Sequence, residues 1–203
     1  MRLVACTVPY VAVLIGVHLL KSGWAAILLY HAGMLALLPL LGGLRPLRAC
    51  ARGWSARAFV LLVIPCLSSG PALFVLVPYV APSLDLGAAL DSLGLRGGSW
   101  LVFMAYYAIV NPWLEEGYWR GVLASSSPSI TASDVFFGGY HVLVLVYFIA
   151  WWWGLLVAAL LMGVAWVWRK VATRCGGVLI PALTHLAADA SVILAVHALV
   201  RWR

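Results

Sequence analysis

Apolar runs of about twenty residues recur from Leu3 to Val200, and a run of that length, wound as a helix, can cross the roughly 30 Å hydrocarbon core of a bilayer. Charge is correspondingly scarce. Charged residues make up 9% of the 203 residues, hydrophobic ones 65%, and the mean hydropathy is +1.05. A water-soluble domain carries roughly a quarter charged residues, so the chain reads as an all-α, polytopic integral membrane bundle. Seven transmembrane helices are expected, at 3–20, 24–44, 58–80, 100–123, 135–150, 152–168 and 178–200. No repeat or low-complexity linker interrupts them, and 1–203 reads as one membrane domain.

The net charge of +7 does not point to nucleic acid. Basic residues cluster between apolar runs, at Arg45, Arg48, Arg52 and Arg57 and again at Arg169, Lys170 and Arg174. Such clusters orient membrane proteins with their basic loops in the cytoplasm. With both clusters and Arg2 inside, Arg120 falls on the same side, and Lys21, Arg96, Arg201 and Arg203 are left outside. The loop 81–99, with Asp85 and Asp91, is then external.

Cys6, Cys50, Cys66 and Cys175 show no CxxC and no metal-ligand spacing, and read as small apolar residues. "LVAC" at 3–6 resembles a lipoprotein cleavage box. The apolar run follows Cys6 instead of preceding it, so 3–20 reads as a first span. Residues 135–168 lack a polar break after His141. As one helix they would extend ~51 Å, which favours two short crossings that turn near Trp151–Gly154.

Against this background "NPWLEEGYWRG", at 111–121, holds the only two glutamates. An ionisable residue at membrane depth costs at least ~2.5 kcal/mol and marks a functional candidate. Glu116 and Arg120 stand at i and i+4, within ion-pair reach on one helix face. Glu115 is rotated about 100° away, lacks that partner, and is the freer of the two to exchange protons. A structural Glu–Arg staple is the alternative reading. Two more spaced pairs follow, Phe137 with His141 and His185 with Asp189. Helical rise puts Glu115 ~12 Å, His141 ~9 Å and His185 ~10 Å from the inner ends of their spans. Three helices thus offer a carboxylate and two imidazoles at one depth, provided 135–168 crosses twice.

A carboxylate and two imidazoles in a dry pocket can activate water. Glu115 would act as general base, and His141 would hold the water and pass a proton to a leaving amine. His185 would bind the tetrahedral oxygen or orient the carbonyl, and Asp189 would fix its tautomer. Phe137 and Trp119 read as packing or pocket walls, Ser133 or Asp134 as an N-cap, and His18, His31 and His197 as packing residues.

"EExxxR", "FxxxH" and "HxxxN/D", in this order on separate spans, read here as Glu115-Glu116-x-x-x-Arg120, Phe137-x-x-x-His141 and His185-x-x-x-Asp189. With the flanks Asn111-Pro112, Gly121 and "GVLIPALTH", residues 100–200 resemble the CPBP intramembrane endopeptidases, the CAAX-protease and bacteriocin-processing family that includes the eukaryotic CAAX prenyl endopeptidase. The resemblance implies a glutamic-type hydrolase with Glu115, Glu116, Arg120, His141, His185 and Asp189 at its site. It implies a membrane-anchored protein or peptide substrate, cleaved near its C-terminus or in its membrane-embedded tail. The expected location is the bacterial inner membrane, with the site nearer the cytoplasmic face. The family often carries asparagine, proposed for the oxyanion, where this chain has Asp189. An ionised aspartate cannot donate a hydrogen bond, so Asp189 is either protonated or serves to orient His185. Zinc on Glu115, His141 and His185 is conceivable, but a metal-free mechanism with no cofactor is favoured. A non-enzymatic immunity or partner protein is the alternative. A proton-coupled transporter ranks lower, since no inverted pair of broken helices is apparent.

Overall fold

The computed structural model describes residues 1–41 and 51–202, the side chain of Trp202 excepted. Arg45, Arg48, Cys50 and Arg203, and the end of the expected span 24–44, lie outside the described residues. All regular structure among the described residues is helical. In chain order the helices are α1 (Arg2–Leu19), α2 (Gly23–Leu41), α3 (Ala56–Val80), α4 (Leu86–Ser92), α5 (Gly97–Val122), α6 (Ala132–Leu145), α7 (Trp151–Cys175) and α8 (Leu179–Trp202).

Five of these helices, α1, α2, α3, α7 and α8, are long and apolar enough to cross a membrane. The pair α4–α5, bent by 89° at its break, would make a sixth. The expected count of seven is therefore not reached. The missing one is α6, whose 14 residues rise about 21 Å, short of a ~30 Å core. Residues 135–168 do not form one helix: α6 ends at Leu145 and α7 begins at Trp151, with Trp151 and Trp152 exposed. Nor does α7 stop at 168. It runs to Cys175, so Arg169, Lys170 and Arg174 are helical rather than loop residues.

Helix starts follow local chemistry. Ser55 and Asp85 cap α3 and α4 by accepting from the amides of Ala58 and Ala88. The cap of α6 is Thr131, neither Ser133 nor Asp134. Asp134 occupies the third helical position and accepts from the Thr131 amide at 2.9 Å, closing a capping box. Gly176, at φ 71°, ends α7 in the left-handed conformation that glycine adopts without strain.

Prolines inside α3 set its packing on α8. Pro71 has no N–H, so the Leu67 carbonyl one turn earlier loses its helical donor. The Ser191 hydroxyl of α8 donates to that carbonyl at 2.6 Å, and its oxygen accepts from the Gly70 amide at 3.0 Å. Gly70 is required there, because a Cβ would collide with the Ser191 carbonyl oxygen. Helix α8 also packs on α5 and α7, and α6 lies along α7. One core, including Met34, Trp100, Trp119, Phe137 and Trp168, joins α1, α2 and α5–α8. Leu61, Ile64, Leu156 and Leu160 face outward, as expected where the surrounding solvent is lipid.

Candidate active site

The site lies where α5, α6 and α8 meet. Pro112 in α5 deprives the Ala108 carbonyl of its donor, and four residues after Glu116 the helix is still in a π turn, Gly117–Val122. Such turns are rare and are frequent at functional sites. Glu115 and Glu116, 1% and 0% exposed, end the regular part of α5.

The Glu116–Arg120 pair forms, at 2.9 Å between Glu116 Oε1 and an Arg120 Nη. The same Oε1 accepts from His185 Nδ1 at 2.9 Å. Two donors on one oxygen hold α5 to α8. The rest of the Arg120 guanidinium lies over Phe137, 4.0 Å from its ring centroid, and 5.2 Å from that of Trp168. Cation–π contact offsets part of the cost of burying it, although its other Nη makes no hydrogen bond among the described residues.

His185 is surrounded by acids. With Nδ1 donating to Glu116, its Nε2 stands 3.5 Å from Glu115 Oε2 and 3.4 Å from Asp189 Oδ1. Nε2 thus faces two carboxylates, at distances longer than the Glu116 bond to Nδ1. The short bond that orients the ring comes from Glu116, and Asp189 approaches at longer range. The ring also lies against Trp168, with centroids 4.7 Å apart.

Glu115 is held on one oxygen only. Tyr140 of α6 donates to Oε1 at 2.6 Å, and the Tyr30 hydroxyl interacts with the same carboxylate. Oε2 has no hydrogen-bond partner among the described residues beyond the long approach of His185.

His141 completes the set at one remove. Its Nδ1 donates to the Phe137 carbonyl at 2.8 Å, which leaves Nε2 with a lone pair. The ring stacks on Tyr140 at 4.0 Å, and the Phe137 ring lies between it and His185, at 5.3 and 6.2 Å. His141 is half-buried, whereas the three carboxylates are buried. Glu115, Glu116, Arg120, His185 and Asp189 therefore form one contiguous cluster, and His141 joins it through the Tyr140 ring. Phe137 and Trp119 are buried walls, Trp119 donating to the Tyr30 hydroxyl at 2.7 Å.

Sequence reading missed several members. In sequence His31 reads as a packing residue, yet it contacts Asn111 at 3.1 Å, and Asn111 donates to Asp189 at 3.0 Å. Asn111 was visible only as a flank of the glutamates, and Tyr140 only as a neighbour of His141. No metal centre is legible in the donor set. Among the described residues no three His, Cys, Asp or Glu side chains are placed to share one ion, and the Nδ1 atoms of His141 and His185 are already committed to protein acceptors.

The family model for the type II CAAX prenyl endopeptidase Rce1-like proteins matches residues 97–191, from the start of α5 to the fourth turn of α8. Comparison with curated proteins gives no match, and comparison with solved structures gives none either. The matched segment contains all seven motif residues and the break between α6 and α7, and the CPBP resemblance of the motifs agrees with it. Residues 97–191, just under half of the chain, are thus similar to the Rce1-like CAAX prenyl endopeptidases, within an all-helical chain whose long apolar helices fit an integral membrane protein.

Proposed function

We propose that this chain is an intramembrane endopeptidase that hydrolyses a peptide bond near the C-terminus, or in the membrane-embedded tail, of a membrane-attached substrate. The observation that carries the proposal is the state of Glu115: one oxygen fixed by Tyr140, the other buried, without a hydrogen-bond partner, and 3.5 Å from His185 Nε2. A buried carboxylate oxygen without a donor is a strong proton acceptor.

Glu115 Oε2 takes a proton from a water molecule, and the water oxygen attacks the scissile carbonyl carbon. His185 Nε2 donates to the oxygen on which negative charge develops. The C–N bond then breaks, and the proton taken from water reaches the leaving amine through His141 Nε2. Glu116 and Arg120 keep His185 in place throughout. The half-buried edge at His141 is the side from which water and substrate enter. In this reading the edge faces the cytoplasmic half of the bacterial inner membrane, the side toward which clustered basic residues are drawn.

The test is cleavage of a fluorogenic farnesylated C-terminal peptide and its unprenylated counterpart by the purified full chain in proteoliposomes. Glu115→Ala and His141→Ala are expected to lower turnover by about 10²–10⁴-fold, the range for a lost general base or acid, while the protein stays folded. Activity should survive a zinc chelator. Full cleavage by Glu115→Ala removes its role as base, and loss on chelation restored by zinc replaces the mechanism with a metal-dependent one.

A further inference from the structure

Helix α2 lies outside the matched segment, yet a string of side-chain hydrogen bonds leads from it into the site. Tyr106 of α5 contacts His31 Nδ1 at 2.8 Å, His31 Nε2 contacts Asn111 Oδ1 at 3.1 Å, and Asn111 Nδ2 donates to Asp189 Oδ2 at 3.0 Å. His31, Asn111 and Asp189 are 3%, 4% and 7% exposed. No bulk water is present to satisfy their polar atoms, so the protein partners must do so.

The direction of every bond in the string follows from its last member. The Asn111 amide nitrogen is committed to Asp189, so its oxygen faces His31 and can only accept. His31 Nε2 must then carry a proton; a second proton on Nδ1 would bury a charge with no acid among its partners, so Nδ1 keeps a lone pair and Tyr106 donates to it. His31 is thereby neutral, with a single tautomer. At the other end Asp189 Oδ2 is an acceptor, and Oδ1 points at His185 Nε2, 3.4 Å away. An asparagine in place of Asp189, facing the same Asn111 amide, would turn its own amide nitrogen toward His185.

We infer that Asn111 and His31 are positioning residues that hold Asp189 as an acceptor at both oxygens, so that Asp189 keeps an oxygen toward His185 Nε2, beside the ring-orienting bond to Glu116, and does not donate to the substrate oxygen. The inference rests on the endopeptidase reading for its activity readout. It assigns the first helical hairpin, through His31, a part in catalysis, and it resolves the role of the aspartate that departs from the family's asparagine. The string couples its members, since each bond polarises the next.

Exchanging the polarity of the last bond tests this directly in the full chain, with the farnesylated peptide as probe. Asp189→Asn should lower kcat about a hundred-fold, because an amide N–H replaces the acceptor for His185. Asn111→Asp should do at least as much, because two carboxylates then face each other. The double variant Asn111→Asp/Asp189→Asn restores a donor–acceptor pair with an oxygen toward His185, and should recover to within about tenfold of wild type. His31→Leu should cost about tenfold in kcat, the loss of one hydrogen bond in a charged network, with KM within about twofold. His31→Gln, which keeps a donor toward Asn111, should restore most of it. Asp189→Asn at or above wild-type turnover, or a double variant worse than both singles, would overturn the inference. If the wild type leaves the peptide uncut, the endopeptidase reading fails on its own. The string is then read by ¹⁵N NMR of histidine-labelled protein. The inference expects a protonated Nε2 and bare Nδ1 at His31, and a shift of the His185 nitrogens in Asn111→Leu. Unchanged His185 resonances would refute it.

Discussion

Arg169 offers the sharpest test of what holds the link between α5 and α6 in place. Its guanidinium is 2% exposed and uses its whole donor set. Nε lies 3.1 Å from both Asp134 oxygens, and one Nη lies 2.8 Å from Asp134 Oδ2 and 2.7 Å from the Ser129 carbonyl. The other Nη reaches the carbonyls of Ser125 and Ser127 at 2.9 and 2.7 Å. Four points along 125–134 are thus tied to one side chain of α7. Arg169→Ala would strand a buried carboxylate and remove the donors of three carbonyls. Breaking a buried ion pair from one side costs about 3–5 kcal/mol. Asp134 keeps two donors from Thr131, both at 2.9 Å, which argues for the lower end, about 3 kcal/mol. For a chain of this length that lowers the Tm by about 10 °C, measurable by fluorescence-monitored melting in detergent. Arg169→Lys keeps the charge but not the planar fork, so a Tm between wild type and Arg169→Ala is expected. Asp134→Ala/Arg169→Ala should lose less than the two single losses added together. An Arg169→Ala protein melting within about 2 °C of wild type would refute the reasoning.

Two further outcomes follow from the packing and the cluster. A Cβ on Gly138 would stand 2.5 Å from the Ala158 carbonyl oxygen and 2.9 Å from the Met162 amide nitrogen, both backbone atoms; Gly138→Ala should therefore cost about 1–3 kcal/mol, whereas Gly163→Ala, which meets nothing within 4 Å, should leave the Tm near wild type. Glu116→Ala strips Arg120 of its ion pair and His185 Nδ1 of its acceptor, and should lower both the yield of folded protein and the turnover of what folds; Glu116→Ala with wild-type Tm would show that the pair contributes no net stability.

Periodicity and composition revealed the helices because lipid exposure demands long apolar runs, and the spacing of the motif residues revealed that Glu116 and Arg120 would pair, a contact within one helix. What could not be read comes from contacts between helices. His31 and Asn111 are 80 residues apart, and a lone imidazole on an apolar helix leaves no pattern to distinguish a partner from a packing residue. Arg169 looked like part of a basic loop because Lys170 and Arg174 follow it, while its partner Asp134 lies 35 residues earlier. The expected count of seven spans is not confirmed, for a related reason. Apolar content continues through α6 and the turn after it, and hydropathy does not register where helical hydrogen bonding stops at Leu145.

The shortness of α6 bears on how the proposed hydrolase would meet water, its second reactant. A 14-residue rod cannot by itself reach both faces of a full-thickness bilayer, and wherever lipid rather than protein meets one of its ends, headgroups would dip toward it. A dip there would carry moisture to the rim at His141 with no need for a dedicated channel. Under the proposed endopeptidase reading, membrane thickness becomes a setting of activity: thin bilayers would wet the rim at His141, and thick ones would leave it dry.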